Sequence, residues 1–237
     1  MNSHKDFILT PITNIIKDVV TANAGIGDGI ETYPLGEYIM QSAFLKMTGF
    51  QEQKMKCICW ELATYDYEYR YRRYTLKQLG ECSTYDEKKI IYKDLIEQIQ
   101  KHIPNFDVSL FLNKDQIRIE TLSEIRNFFL DTNVSTWSQM NFVEFTNNAT
   151  LIQNNLFGSM SNLFENVLQE RYKQLYSHRN RSAHNTLSYQ QNLPTLATLV
   201  NENYRYDNYF VRFALLTLID KIFIELYKKF LKLNDLE

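Results

Sequence analysis

An all-α fold follows from three features of the sequence. Glycine and proline are scarce, 7 and 4 in 237 residues, so little interrupts a helix. Apolar residues recur at three- and four-residue steps along most of the chain, the period of an amphipathic helix. Leu, Ile, Lys, Glu and Gln, good or tolerable in helices, are plentiful. A chain of this length buries a substantial core, and a single compact body is expected.

The elements follow in order. Phe7, Ile8, Ile12, Ile15, Ile16 and Val19 predict a first helix over residues 5–20, with Pro11 either in its first turn or breaking it. Gly25-Ile26-Gly27-Asp28-Gly29 superficially looks like a phosphate-cradling loop. No apolar strand precedes it and no Gly-Lys-Ser/Thr follows, so a plain loop is expected. A helix from about Leu35 to Lys46 ends at Thr48-Gly49, and a longer one spans Gln51 to Leu79. Cys57, Trp60, Thr64, Tyr67, Tyr71 and Tyr74 line one face of that helix, a stripe that reads as core or subunit interface. Arg70, Arg72, Arg73 and Lys77 among the tyrosines open a second reading, stacked bases and held phosphates, which Asp66 and Glu68 partly offset.

Tyr85 to His102 is amphipathic through Ile90, Ile91, Leu95, Ile96 and Ile99, and Pro104 marks its end. His102 is expected to interact with the terminal carbonyls. Asn105 to Lys114 is a connection with a short extended piece at Val108 to Leu112. It forms a soft boundary between an N-terminal helical region, 1–104, and a second helical region, 105–237. Helices follow at Gln116 to Leu130 and, after the Asp131-Thr132-Asn133 turn, at Thr136 to Asn147 with Ser135 as N-cap.

The next helix starts at Ala149 or Phe157 and runs to near Arg179. It buries Leu156, Met160, Leu163, Phe164, Val167, Leu168, Tyr172 and Leu175, with Gly158-Ser159 as a kink site. Gln190 to Asp207, with Pro194, reads as loop or short turns. In the last helix, about Tyr206 to Lys232, Phe210, Phe213, Leu215, Leu218, Ile222, Phe223, Leu226 and Phe230 cover more than one stripe. Such a helix is buried on several sides, within the chain or across a dimer.

A formal net charge of −2 argues against coating nucleic acid through bulk positive charge, so any such contact is local. Cys57, Cys59 and Cys82 are odd in number and have no His at metal-ligand spacing. Neither a disulfide framework nor a zinc site is implied, and no metal or cofactor is expected. No signal pattern opens the chain, and the apolar run Phe210 to Leu231 carries Arg212, Asp220, Lys221 and Glu225. The chain therefore reads as soluble and cytoplasmic, with reduced thiols and no membrane contact.

One stretch concentrates polar and basic groups, Leu175-Tyr176-Ser177-His178-Arg179-Asn180-Arg181-Ser182-Ala183-His184-Asn185. Arg179, the Asn after it and a His five positions on give the spacing Arg-Asn-x-x-x-His, with Ala183 small beside the His. With the helical context of roughly residues 110–233, this resembles the HEPN ribonuclease superfamily. The resemblance implies a HEPN-like helical bundle with an additional N-terminal helical region. It also implies paired motifs lining a cleft at a homodimer interface and metal-independent cutting of single-stranded RNA, in toxin or anti-phage defence. An antitoxin or defence-system protein would then be a partner. A toxin subgroup of the family carries Tyr two residues after the His; here that residue is Thr186.

Metal-free RNA cleavage needs a base for the ribose 2′-OH, a cation for the charge growing on the phosphoryl oxygens and a proton for the departing 5′-oxygen. His184 is the candidate acid/base, and Arg179 the electrostatic stabiliser. Asn180 would orient the His or the phosphate. DNA lacks the nucleophile and would not be cut this way. Arg171, Lys173, Arg179 and Arg181 face only Glu170, a local positive excess that would draw in a phosphate backbone. His178 and Arg181 are auxiliary candidates for RNA contacts.

On a continuous helix Asn180 and His184 share a face, with Arg179 about 140° round from His184. Either the helix breaks inside the motif, or Arg179 reaches round, or a second copy completes the site. Two other readings stand beside catalysis. Arg179 and Arg181 bridge helix ends to carboxylates with His184 a satisfied interface residue, or the HEPN-like bundle is a non-catalytic scaffold whose N-terminal helical part, with its Tyr-rich helix, docks a protein partner.

Overall fold

A computed structural model of the chain describes residues 4–27, 29–147, 152–184 and 208–234. The described residues are helices and turns with no strand, apart from one isolated bridge between Phe157 and Phe164. No helix among them is long and apolar enough to cross a membrane.

Pro11 breaks the first predicted helix into α1 (His4–Leu9) and α2 (Asn14–Asn23). The backbone groups freed at the break find buried partners. Lys54 Nζ donates to Thr10 O at 2.7 Å, and Ile12 N donates to Asp220 Oδ2 at 2.9 Å. The glycine-containing stretch after α2 forms a turn, described apart from Asp28.

α3 (Tyr33–Tyr65) is one helix of 33 residues where the sequence predicts two. Thr48-Gly49 does not end it, because Met47 and Gln51 on either side are buried and Gln51 Nε2 donates to Leu216 O at 2.9 Å in the last helix. Tertiary packing outweighs a single glycine worth about 1 kcal/mol. Nothing lies within 4 Å of where a Gly49 Cβ would sit. Gly49→Ala is therefore expected to raise stability by about 0.5–1 kcal/mol, read as a higher midpoint in urea with an unchanged slope.

The expected helix over 51–79 is cut at Asp66, whose extended backbone and carboxylate cap α4 (Tyr67–Tyr71) by accepting from the backbone N–H of Glu68 and Tyr69. A wide turn, Arg72–Leu76, follows. The opposite side of α3 enters the core through Met55, Ile58, Cys59 and Leu62. Trp60, Tyr67, Tyr71 and Tyr74 consequently face solvent, so this aromatic stripe is no part of the chain's own core. Arg73 makes a forked contact to Asp94 at 2.7 and 2.5 Å, and Arg72 reaches Glu97 at 2.9 Å.

α5 (Tyr85–His102) opens on a capping box between Thr84 and Glu87. Val108–Phe111 is a helical turn, α6, rather than an extended piece, because Asp107 caps it through Ser109 N. Asn113 caps α7 (Lys114–Phe129). Ser135 is not an N-cap. Thr132 takes that role for α8 (Asn133–Trp137), and α9 (Gln139–Asn147) starts only after it.

The helix leading to the motif also starts later than expected. Gly158 adopts φ +64 and its N–H donates to Leu163 O at 2.9 Å, closing a tight reversal, and α10 runs Asn166–His184. Met160 and Val167 are exposed, while Leu163, Phe164, Leu168, Tyr172 and Leu175 are buried as predicted. Ala149, Thr186 and the predicted loop over 190–207 lie outside the described residues.

α11 (Tyr209–Asn234) is buried nearly all round. Its cover comes from within the chain, since α3, α5, α7, α9 and α10 all pack on it. Buried side chains from Ile8 to Phe230 form one cluster that draws on residues of both 1–104 and 105–237.

Candidate functional site

The motif lies in the last turns of α10, which is helical through His184. No Gly or Pro interrupts Ser177 to His184, and Leu168, Tyr172 and Leu175 anchor the preceding turns in the core. A break inside the motif is thereby removed as a way of bringing Arg179 and His184 together. Asn180 and His184 stand one turn apart on one face, and Arg179 lies about 140° from His184. His184 is placed as the end of the helix, and its side chain lies outside the description.

Arg179 is half-buried and turned toward α3. Its Nη2 lies 3.4 Å from Glu52 Oε2, and its Nη1 donates to Asn180 Oδ1 at 3.2 Å. Glu52 also receives Lys56 Nζ at 3.3 Å. Arg179 lines a small cavity of about 10 Å³ with Glu52, Ser83, Lys88, Tyr172 and Tyr176, room for no more than a water molecule.

His178 faces inward. Its Nε2 is 3.3 Å from Tyr209 OH and 3.4 Å from Ser182 Oγ, and its ring packs on Phe44 at 5.4 Å between centroids. Tyr209 in turn donates to Glu37 Oε1 at 3.0 Å, giving a Glu37–Tyr209–His178 chain between α3, α11 and α10. Lys173 is exposed and pairs with Glu170 at 2.7 Å, while Arg171 and Arg181 are half-buried on the same helix. The structure thus joins Arg179 to Asn180, sends His178 to another network and leaves Lys173 at the surface.

Glu52, Tyr209 and Lys88 are the site neighbours that the linear motif does not announce. Lys88 is buried beneath Arg179, its Nζ donating to Cys82 O at 2.8 Å and Ser83 O at 3.0 Å. Burial lowers its pKa to about 8, against the pull of Cys82, Glu52 and Glu87. The unfolded chain keeps a proton that the folded chain has released between that value and the ordinary 10.5, so Lys88 makes stability rise with pH across this interval. Relative to Lys88→Met, the wild type is expected to gain about 1 kcal/mol per pH unit from pH ~8 to ~10. Urea unfolding of both proteins at several pH values in that range measures it, and parallel curves would refute it.

Among the described residues no group of three or more His, Cys, Asp or Glu is placed to hold a metal ion. Comparison of the chain with protein-family models, curated proteins and solved structures returns no match.

Proposed function

We propose that the chain is a metal-independent endoribonuclease of HEPN type, cutting single-stranded RNA through a 2′,3′-cyclic phosphate as a homodimer. The observation that carries this reading is the unbroken α10, which sets Asn180 and His184 on one face and turns Arg179 away toward α3. Such a motif is chemically complete when a second copy brings its own residues to the same cleft. His184 serves as acid/base, Arg179 stabilises charge on the phosphoryl oxygens, and Asn180, already bonded to Arg179, orients it. The contact to Glu52 is long and partly open to solvent, so Arg179 can exchange it for phosphate at little cost. Arg171, Lys173 and Arg181 would supply RNA contacts, while His178, turned inward onto Tyr209 and Phe44, would help to hold α10 in place. Toxin or anti-phage defence in the cytoplasm, with an antitoxin or defence partner, is the setting that the motif's resemblance supports.

The test is incubation of mixed-sequence single-stranded RNA with EDTA and either the wild type or His184→Ala. Products ending in 2′,3′-cyclic phosphate and 5′-OH, from the wild type alone, are expected. Equal cleavage by both proteins would remove His184 from the reaction.

A second reading is favoured by the solvent-facing Trp60, Tyr67, Tyr71 and Tyr74. A HEPN-like bundle without catalysis would present this face to a protein partner. A scaffold should express equally well with or without His184, whereas a ribonuclease toxin should express better without it.

A further inference from the structure

The loop before α5 brings two of the three cysteines together. Cys59 on α3 and Cys82 are both buried from bulk solvent, yet they line one cavity of about 400 Å³ with Lys56, Trp60, Arg73 and Tyr74. Each thiol shifts the other's acidity, and Cys82 Sγ also donates to Gly80 O at 3.8 Å. Trp60 and Tyr74, both exposed, form part of that lining, so the cavity reaches the surface. Cys57, two residues from Cys59 and about 200° round α3, is not among the lining residues.

Cys82 has φ 61, a left-handed conformation that a residue with a side chain adopts only under strain. Lys88 holds it there by donating to the carbonyls of Cys82 and Ser83. Tyr172 of α10 also donates to Ser83 O at 3.0 Å. The strained backbone thus sets the Cys82 sulfur in the cavity wall beside Cys59.

We propose that Cys82 and Cys59 are a peroxide-reactive modification site, Cys82 the attacking thiolate and Cys59 the resolving thiol, closing reversibly into a disulfide between α3 and the loop before α5. Cys59 first, then the Lys88 and Lys56 ammonium groups, hold Cys82 below its ordinary pKa against burial and the Glu87 carboxylate, while Cys59 lies well above. The Cys82 thiolate attacks one oxygen of hydrogen peroxide. The O–O bond breaks, hydroxide leaves and takes up a proton as water, and Cys82 becomes a sulfenic acid. The Cys59 sulfur then attacks the Cys82 sulfur. The S–S bond forms as the S–O bond breaks, and hydroxide leaves with the Cys59 proton as a second water. Two thiols are oxidised and one peroxide is reduced.

The site does not depend on the ribonuclease reading, and its test uses the whole protein. The wild type is treated with hydrogen peroxide, quenched, unfolded, labelled with N-ethylmaleimide and mapped by mass spectrometry. Loss of two of three labelled thiols, a peptide linking Cys59 to Cys82 and recovery with dithiothreitol are expected. In Cys59→Ser the bridge is lost and dimedone traps Cys82 as sulfenic acid. Three labelled thiols in the treated wild type, or a bridge through Cys57 or between chains, overturns the proposal. The wild-type map decides the matter even if the variant does not fold.

Discussion

Asp220→Ala is expected to cost about 3–5 kcal/mol, because it strands a charge in the middle of the protein. Lys54 and Asp220 are 0% and 2% exposed in their side chains and meet at 2.5 Å. Burial pushes the lysine's pKa down and the carboxyl's up, and each group partly restores the other. Their remaining capacity is spent on the Pro11 break, Lys54 on Thr10 O and Asp220 on Ile12 N. Removing the carboxylate therefore leaves both an uncompensated ammonium and an unpaired amide.

Paired replacement by Lys54→Met and Asp220→Leu should recover only part of the loss, since the Thr10 carbonyl and Ile12 amide still lack partners. At about 2–4 °C per kcal/mol for a domain of this size, the single variant should melt some 6–20 °C lower. A fall of less than about 3 °C would mean that the pair is not desolvated as the packing of α1, α3 and α11 requires.

This pair marks where the sequence stops being readable. The all-α class was legible because helical periodicity is local and few glycines or prolines oppose it. The apolar faces of α5 and α11 were legible for the same reason. Asp220 in α11 gave no sign of being buried, because its partner is 166 residues away. Gly49 alone reads as a helix stop, although long-range contacts at Met47 and Gln51 carry α3 through it. The aromatic stripe of α3 and α4 has a helical period but faces water, since periodicity identifies a face without saying which face is covered.

The site divides along the same line. The Arg-Asn-x-x-x-His spacing is local and visible, and so is its mismatch with one helical face. Glu52, 127 residues before Arg179, and the meeting of Cys59 with Cys82 depend on α3 crossing beneath α10 and the loop before α5. No pattern within a window of sequence reports such a crossing. An odd count of cysteines says nothing of which two share a cavity; that Cys59 and Cys82 do so is visible only in three dimensions.

Arg179→Ala and His184→Ala are each expected to lower metal-free RNA cleavage by about 10²-fold or more. Arg179→Ala should scarcely move the melting temperature, because its 3.4 Å contact to Glu52 is worth at most about 1 kcal/mol. A large loss of activity at nearly unchanged stability separates a role in charge stabilisation from one in holding α10 to α3. The two inactive variants, unfolded and refolded together, then test how the site is assembled. If each site takes Arg179 from one copy and His184 from the other, a mixed dimer holds one site with both residues replaced and one with neither. Half the dimers are mixed at equal amounts, so about a quarter of the wild-type activity should return. A mixture no better than its parents would mean that both residues of a site come from one helix, which the 140° separation on an unbroken α10 makes difficult unless Arg179 reaches round.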